Sequence, residues 1–366
     1  MADPRYVKLA QVLTHYSLAV KPGEKVMINA PSIAMPLIKE VYREVLQLGA
    51  YPTPRIRARE LDLLFYQHAS DDQLTHISEM QKFEVEYFDA ELYIMAEENT
   101  RALASVDPKR MAVSSAARSG LNKRHDQRSA SGEMRWSLTL YPTNAYAQDA
   151  GMSLEAYEDF VFQAAMLNEA DPVAAWRRVH DEQQRIVDYL MQHDEIHVQA
   201  EGTDIRYRVG GRKWLNADGR VNFPDGEVFS APIEDSVNGT VTFSYPAIYN
   251  GTEVEGIRLT FRDGVVIEAQ AEKGEAFLHA MLDTDEGSRR LGEVAFGTNY
   301  AITHFSREIL FDEKIGGTMH MALGQSYSEC GGKNESGLHW DMISDLGKAQ
   351  VYADGELFYE NGKFVI

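Results

Sequence analysis

Glycine is distributed unevenly along the 366 residues. Five of the 27 glycines precede residue 200 (Gly23, Gly49, Gly120, Gly132 and Gly151) and 22 follow it. Every Asp-Gly and Asn-Gly pair also falls in the second half: Asp218-Gly219, Asp225-Gly226, Asn238-Gly239, Asn250-Gly251, Asp263-Gly264, Asp354-Gly355 and Asn361-Gly362. Such pairs accept the positive φ angles of tight hairpins, so they mark points where one strand turns back on the next. The pattern predicts a helix-rich first half and a strand-rich second half.

The first half alternates helix and strand. Helices are predicted over Tyr6–Tyr16, Pro36–Gly49, Asp107–Leu121 and, with breaks, Leu154–Gln192; "KVMINA" and "AELYIMA" read as buried strands. In the second helix Leu37, Val41, Val45 and Leu46 fall at helical spacing. This order favours an α/β domain with a mainly parallel sheet. The second half reads as a hairpin "EIHVQAEGTDIRYRVGG", several further strands, and helices near Glu275–Leu282 and Ser306–Phe311. The expected organisation is an α/β N-terminal domain over 1–192 and an α+β, strand-rich C-terminal catalytic domain over 193–366.

The formal charge is −20. A surface this acidic argues against nonspecific binding to nucleic acid or to anionic membranes, and suits cations. No run of about 18 apolar residues is present, and the N-terminus lacks the apolar core of a signal peptide. A cytoplasmic location is the simplest expectation. One cysteine, Cys330, excludes an intrachain disulfide and a Cys-rich zinc site. No G-x-G-x-x-G, P-loop or G-x-S-x-G motif appears.

Three features look chemical and carry little. "HDEIH" (His193–His197) spaces two histidines four apart, but it lacks the H-E-x-x-H order and straddles an expected helix-to-strand change. "ARSGLNKRHDQR" gathers Arg118, Lys123, Arg124, His125 and Arg128, and reads as a solvated helix face, or else as a substrate anchor. Cys330 reads as an incidental thiol.

The second half holds a better set: Glu227 in "FPDGEVFSAP", Glu293 in "RRLGEVAFGTN", His320 and Tyr327 in "GGTMHMALGQSY", and His339 and Asp341 in "GLHWDMISD". Each sits among apolar residues and glycines, an expensive place for a carboxylate without a positive partner. Lys and Arg are sparse in these windows, and a bound cation would remove the cost. Carboxylate and imidazole ligands suit Zn, Co, Mn or related divalent ions, and five of them exceed what one tetrahedral ion needs. On a strand His339 and Asp341 would share a face. The alternative is that each is separately a satisfied polar residue of the core.

At these residues the sequence resembles the M29 metallo-aminopeptidases, the aminopeptidase T and aminopeptidase S group. The resemblance runs from "VLTHYSLAVKPGEKVMINA" through "AEENTRAL" to "GEVFSAP…SVNGT", "GE…GTN", "KIGGTMHMALGQSY" and "N-x-S-x-x-H-x-D". It implies a metal-ligand set of Glu227, Glu293, His320, His339 and Asp341, with Tyr327 beside them. It also implies two divalent ions (Zn, Co, Mn or Mg), a homodimer, and peptide substrates with a free N-terminus. One departure is that His320 and His339 are only 19 positions apart, where longer members carry an insertion.

The expected reaction is removal of the N-terminal residue by a water activated between two ions. Tyr327 would donate to the oxyanion, Glu293 is the candidate bridge because glycine precedes it, and Glu227 is a possible proton shuttle. Two other functions fit the same residues: a metal- or peptide-binding protein with little turnover, and a di-metal hydrolase of nonpeptide amides.

Overall fold

The computed structural model describes residues 3–366. The chain divides into two compact units, Met1–Ala174 with Gly219–Phe223, and Ala175–Asp218 with Pro224–Ile366.

The first unit is built on strands β1 (Lys25–Pro31), β2 (Tyr51–Arg57), β3 (Ala90–Met95) and β4 (Arg135–Leu140), ordered β2-β1-β3-β4 and all parallel. The two-residue strand Asn222–Phe223 adds a parallel edge beside β4. Val26, Ile28 and Ala30 of β1 and Leu92 and Ile94 of β3 make one apolar, fully buried face. After α1 (Pro4–Val12), helix α2 (Met35–Gln47) lies on this face beside Pro54 and Ile56, with Leu37, Val41 and Val45 buried. The other face is covered by α3 (Glu79–Tyr87) and α4 (Pro108–Ala130). Helix α4 runs nine residues beyond the predicted end at Leu121, because no glycine or proline stops it there: Gly120 is accepted inside the helix.

The second unit opens within α5 (Pro172–Leu190), at Ala175, and Ile186, Val187 and Leu190 of this helix join its core. The predicted 154–192 helix is thus two, Leu154–Ala164 and Pro172–Leu190. An eight-stranded antiparallel sheet follows, with Glu195–Ala200 and Thr203–Arg208 near its centre. A second, five-stranded sheet is antiparallel throughout: β5 (Leu215–Ala217), β6 (Glu227–Ser230), β7 (Leu291–Gly297), β8 (Thr318–Gly324) and β9 (His339–Asp345), in the order β9-β8-β7-β6-β5. One apolar cluster joins the two sheets. Val228, Val294, Phe296, Met319, Met321, Leu323, Trp340 and Met342 enter it from the five-stranded sheet, and Ile196, Val198, Val241, Leu259 and Val351 from the other. Burying one such side chain is worth about 1.5–3 kcal/mol, so this inner face is what holds the sheet in place.

Four of the seven Asp-Gly and Asn-Gly pairs are two-residue hairpin turns with both φ angles positive: Asn250-Gly251, Asp263-Gly264, Asp354-Gly355 and Asn361-Gly362. This is the mirror-image turn whose twist matches that of paired strands. Among the described residues no helix is long and apolar enough to cross a membrane.

Candidate metal centre

The outer face of the five-stranded sheet carries the polar set. Alternation puts Glu227 and Phe229 of β6, Glu293, Ala295 and Gly297 of β7, His320, Ala322 and Gly324 of β8, and His339, Asp341 and Ile343 of β9 on one side. Register aligns them: Glu227 opposite Gly297, His320 opposite Ala295, and Glu293, Ala322 and Asp341 in one row. Alanine and glycine occupy the positions between the ligand-type side chains, so the floor is low and the polar groups rise around a hollow.

Two glycines make this possible. Gly226, at φ +129, leads into Glu227 where a Cβ would lie 2.6 Å from the Cβ of Asn299. Gly292 is the bulge residue of β7, where the register shifts between Leu291 and Glu293. A Cβ there would lie 2.3 Å from the Gln325 carbonyl oxygen. The bulge turns Glu293 to the outer face while Leu291 stays in the core.

The side chains converge. His320 Nε2 is 3.6 Å from both Glu227 Oε2 and Glu293 Oε1, and His339 Nε2 is 3.3 Å from Glu293 Oε2 and 3.5 Å from Asp341 Oδ1. Each imidazole is oriented from behind: His320 Nδ1 donates to the Glu313 carbonyl at 3.0 Å, and His339 Nδ1 to the Gln325 carbonyl at 2.8 Å. Such a bond sets the tautomer and aims Nε2 inward. Tyr327 places its hydroxyl 3.5 Å from His339 Nε2, with its ring against Phe229. The structure thus gathers all six residues singled out from sequence: Glu227, Glu293, His320, Tyr327, His339 and Asp341.

The chain matches the family described as Thermophilic metalloprotease (M29) over residues 2–364. It is a member of the M29 family. It is 30% identical to Aminopeptidase 2 of Geobacillus stearothermophilus, covering 95% of this chain and 93% of that protein. Aminopeptidase T of Thermus aquaticus is 28% identical, with 96% and 94% covered. The structure of wild-type AmpT from Thermus thermophilus superposes with a TM-score of 0.85 at 27% identity, covering 99% of each chain. The α/β first half and strand-rich second half are therefore the M29 architecture.

Within this M29 chain the site contains more charge than the sequence windows suggested. Lys314, fully buried, places Nζ 3.6 Å from Glu227 Oε1 and 3.9 Å from Asp225 Oδ1, and touches the Glu313 carboxylate. Sparse as Lys and Arg are in those windows, this one lysine supplies part of the positive charge the carboxylates need. Glu313 is likewise a new member: its carboxylate lies with His320 and Asp341 in a group whose ligand atoms fall within 4.8 Å of one another, as do those of Glu293, His339 and Asp341. The run "DEK" before Gly316-Gly317 was the available signal, and a charged run ordinarily reads as solvated.

Burial sets the proton chemistry. It raises Glu227 well above the usual carboxyl range, lifts Glu313, and moves Asp225 to about 7. Burial would lower the two imidazoles, but the carboxylates outweigh it and hold His320 at about 10 and His339 at about 11. Glu293 and Asp341 stay below the usual range despite burial, because the histidines face them. Burial and the carboxylates push the Tyr327 hydroxyl upward, so it is a donor at neutral pH.

The residues fit divalent ions. Glu227 Oε2 and Asp341 Oδ1 are buried without a hydrogen-bond partner. Buried carboxylate oxygens left in this state are costly unless something positive completes them.

The weaker sequence features separate from the site. His193 bonds the Tyr189 carbonyl and His197 the Asp204 carboxylate, so "HDEIH" has no common focus. Cys330 is fully buried with its thiol pushed up to about 12, which makes it a poor nucleophile.

Proposed function

We propose that this protein is a metal-dependent aminopeptidase whose centre holds two divalent ions on Glu227, Glu293, His320, His339 and Asp341, with Glu313 as a further ligand. The observation that carries the reading is Glu293, whose two oxygens face two different backbone-oriented histidines. A carboxylate presented this way suits a bridge. Two ligand groups share Asp341, one with Glu293 and His339 and one with Glu313 and His320. Charge supports more than one ion, since the four carboxylates Glu227, Glu293, Glu313 and Asp341 share a single lysine, Lys314.

Ions held there supply acidification of a water and polarisation of the scissile carbonyl. The chain's own groups do the rest. Glu227, where its coordination is loose, is the carboxylate to accept the proton of the attacking water and return it to the leaving amine. Tyr327 donates its hydroxyl to the oxyanion as charge develops. The acidic surround favours the amino end of a peptide over its carboxylate. Substrates are peptides with a free N-terminus, and the working form is a homodimer, as the family resemblance implies.

The test is activity on amino-acid p-nitroanilides after chelation and add-back of Co, Zn, Mn or Mg, with metal content measured in parallel. Recovery together with two ions per chain supports the reading. Lack of recovery with every ion, or equal turnover of N-acetylated substrates, overturns it.

A further inference from the structure

The parallel sheet of the first unit bears a cavity of about 480 Å³ on the face opposite α2. Its floor is Met27, Glu91 and Trp136, in register across β1, β3 and β4, with Tyr93 next along β3. Its roof is Glu84 of α3 and Arg118, Asn122 and His125 of α4.

The cavity exists because the covering helices lack an apolar stripe. Helix α3 buries no residue, and α4 buries only Ser114 and Arg128 of its 23. A helix normally seats on a sheet through apolar residues at helical spacing. Here Arg118, Leu121, Asn122 and His125 take those positions. This is the run "ARSGLNKRHDQR", and part of it faces inward rather than to solvent.

The lining balances charge: Arg55, Arg118 and His125 against Glu84, Glu91 and Asp126. Arg55 pairs with Glu84 at 2.6 Å, and His125 Nε2 stands 3.4 Å from Glu91 Oε2. Arg118 bonds only Ser114 of its own helix, and among the described residues it has no acidic partner. Glu91 is 2% exposed and accepts from the Tyr93 hydroxyl at 2.6 Å.

Two buried polar atoms on this face of the sheet, outside the cavity lining, have no hydrogen bond: Oδ1 of Asn29, which is in register with Tyr93, and Nε of Arg57, two residues along β2 from Arg55. Each such atom costs about 1–3 kcal/mol, so the polar groups of this face are incompletely matched by the helices that cover it.

We propose that this cavity binds a small zwitterion of the α-amino-acid class. Its carboxylate lies on the Arg118 guanidinium, and its ammonium group between Glu91 and the rings of Tyr93 and Trp136. Arginine takes a carboxylate in bidentate fashion, and aromatic faces attract an ammonium. A polyphosphate is disfavoured by the three acidic lining residues Glu84, Glu91 and Asp126. The volume suits a small ligand. The proposal involves the first unit alone and does not depend on the reading of the metal centre.

Calorimetric titration of L-phenylalanine and L-leucine into the full-length protein, metal-loaded and chelator-stripped, tests it. Binding should persist in the stripped protein. It should weaken by at least about tenfold in Arg118→Met, about 1.4 kcal/mol, while Arg118→Lys retains most of it. L-Phenylalanine methyl ester and N-acetyl-L-phenylalanine, each missing one charge, should bind at least about tenfold more weakly. Circular dichroism establishes that the variants are folded. Absence of binding to the stripped protein at about 20 mM ligand overturns the proposal, as does binding unchanged by Arg118→Met, or tighter binding of inorganic pyrophosphate.

Discussion

Leu291 and Glu293 are two positions apart on one strand yet face opposite sides of the sheet. Leu291 lies in the core and Glu293 among the candidate ligands. The inserted residue between them is Gly292, packed against the carbonyls of Gln325 and Gly324. Gly292→Ala should therefore cost about 1–3 kcal/mol of stability through overpacking. It should also lower metal content, because Glu293 is re-aimed. Thermal melts and metal analysis of the variant check both, and full metal occupancy would show that the bulge does not position Glu293.

His339→Ala and Asp341→Ala should each remove bound metal while the fold survives. An ion in this role supplies several kcal/mol at the transition state, so kcat/KM should fall by more than about a hundredfold. Glu313→Gln should reduce occupancy without emptying the centre. Metal stoichiometry after dialysis reads all three, and an unchanged ratio in any variant removes that residue from the set.

Tyr327→Phe should lower kcat by about a hundredfold to a thousandfold, the usual loss for one oxyanion donor, with metal content intact. A kcat equal to the parent's would leave the hydroxyl without this role.

Much of this was legible because it follows local rules. The four two-residue hairpins follow from Asp-Gly and Asn-Gly chemistry, and period-two alternation places His339 with Asp341 around a core Trp340. Glu313 and Lys314 were not legible. A lysine that follows two acidic residues ordinarily lies in solvent, and only the fold, which sets this one beside Asp225 and Glu227, buries it. The bulge at Gly292 was hidden for a related reason: an insertion of one residue looks the same in sequence as regular alternation.

Metal uptake should release protons. Without ions the imidazoles keep theirs up to about 10 for His320 and about 11 for His339. The unfolded value is about 6.5, so this contribution to ion-free stability is complete below that pH and is lost as pH rises through the folded values. Apparent metal affinity should accordingly rise with pH above neutrality. Calorimetry in buffers of different ionisation enthalpy at pH 7 should report protons expelled on metal binding, from the imidazoles and from Glu227, and none expelled would refute the assignment.

Lys314→Met should destabilise the ion-free protein by about 3–5 kcal/mol, since it strips a counter-charge from buried carboxylates. Added metal should narrow the deficit in a denaturant titration. A deficit indifferent to metal would separate Lys314 from the centre.

The buried Lys314 ammonium bears on how such a protein is made. A hollow of carboxylates with a resident cation carries part of its counter-charge before any ion enters. The strands can pair first, and loading becomes an exchange in which protons leave and ions enter a finished frame. On this order of events, which ion is installed depends on what the surroundings offer after folding is complete.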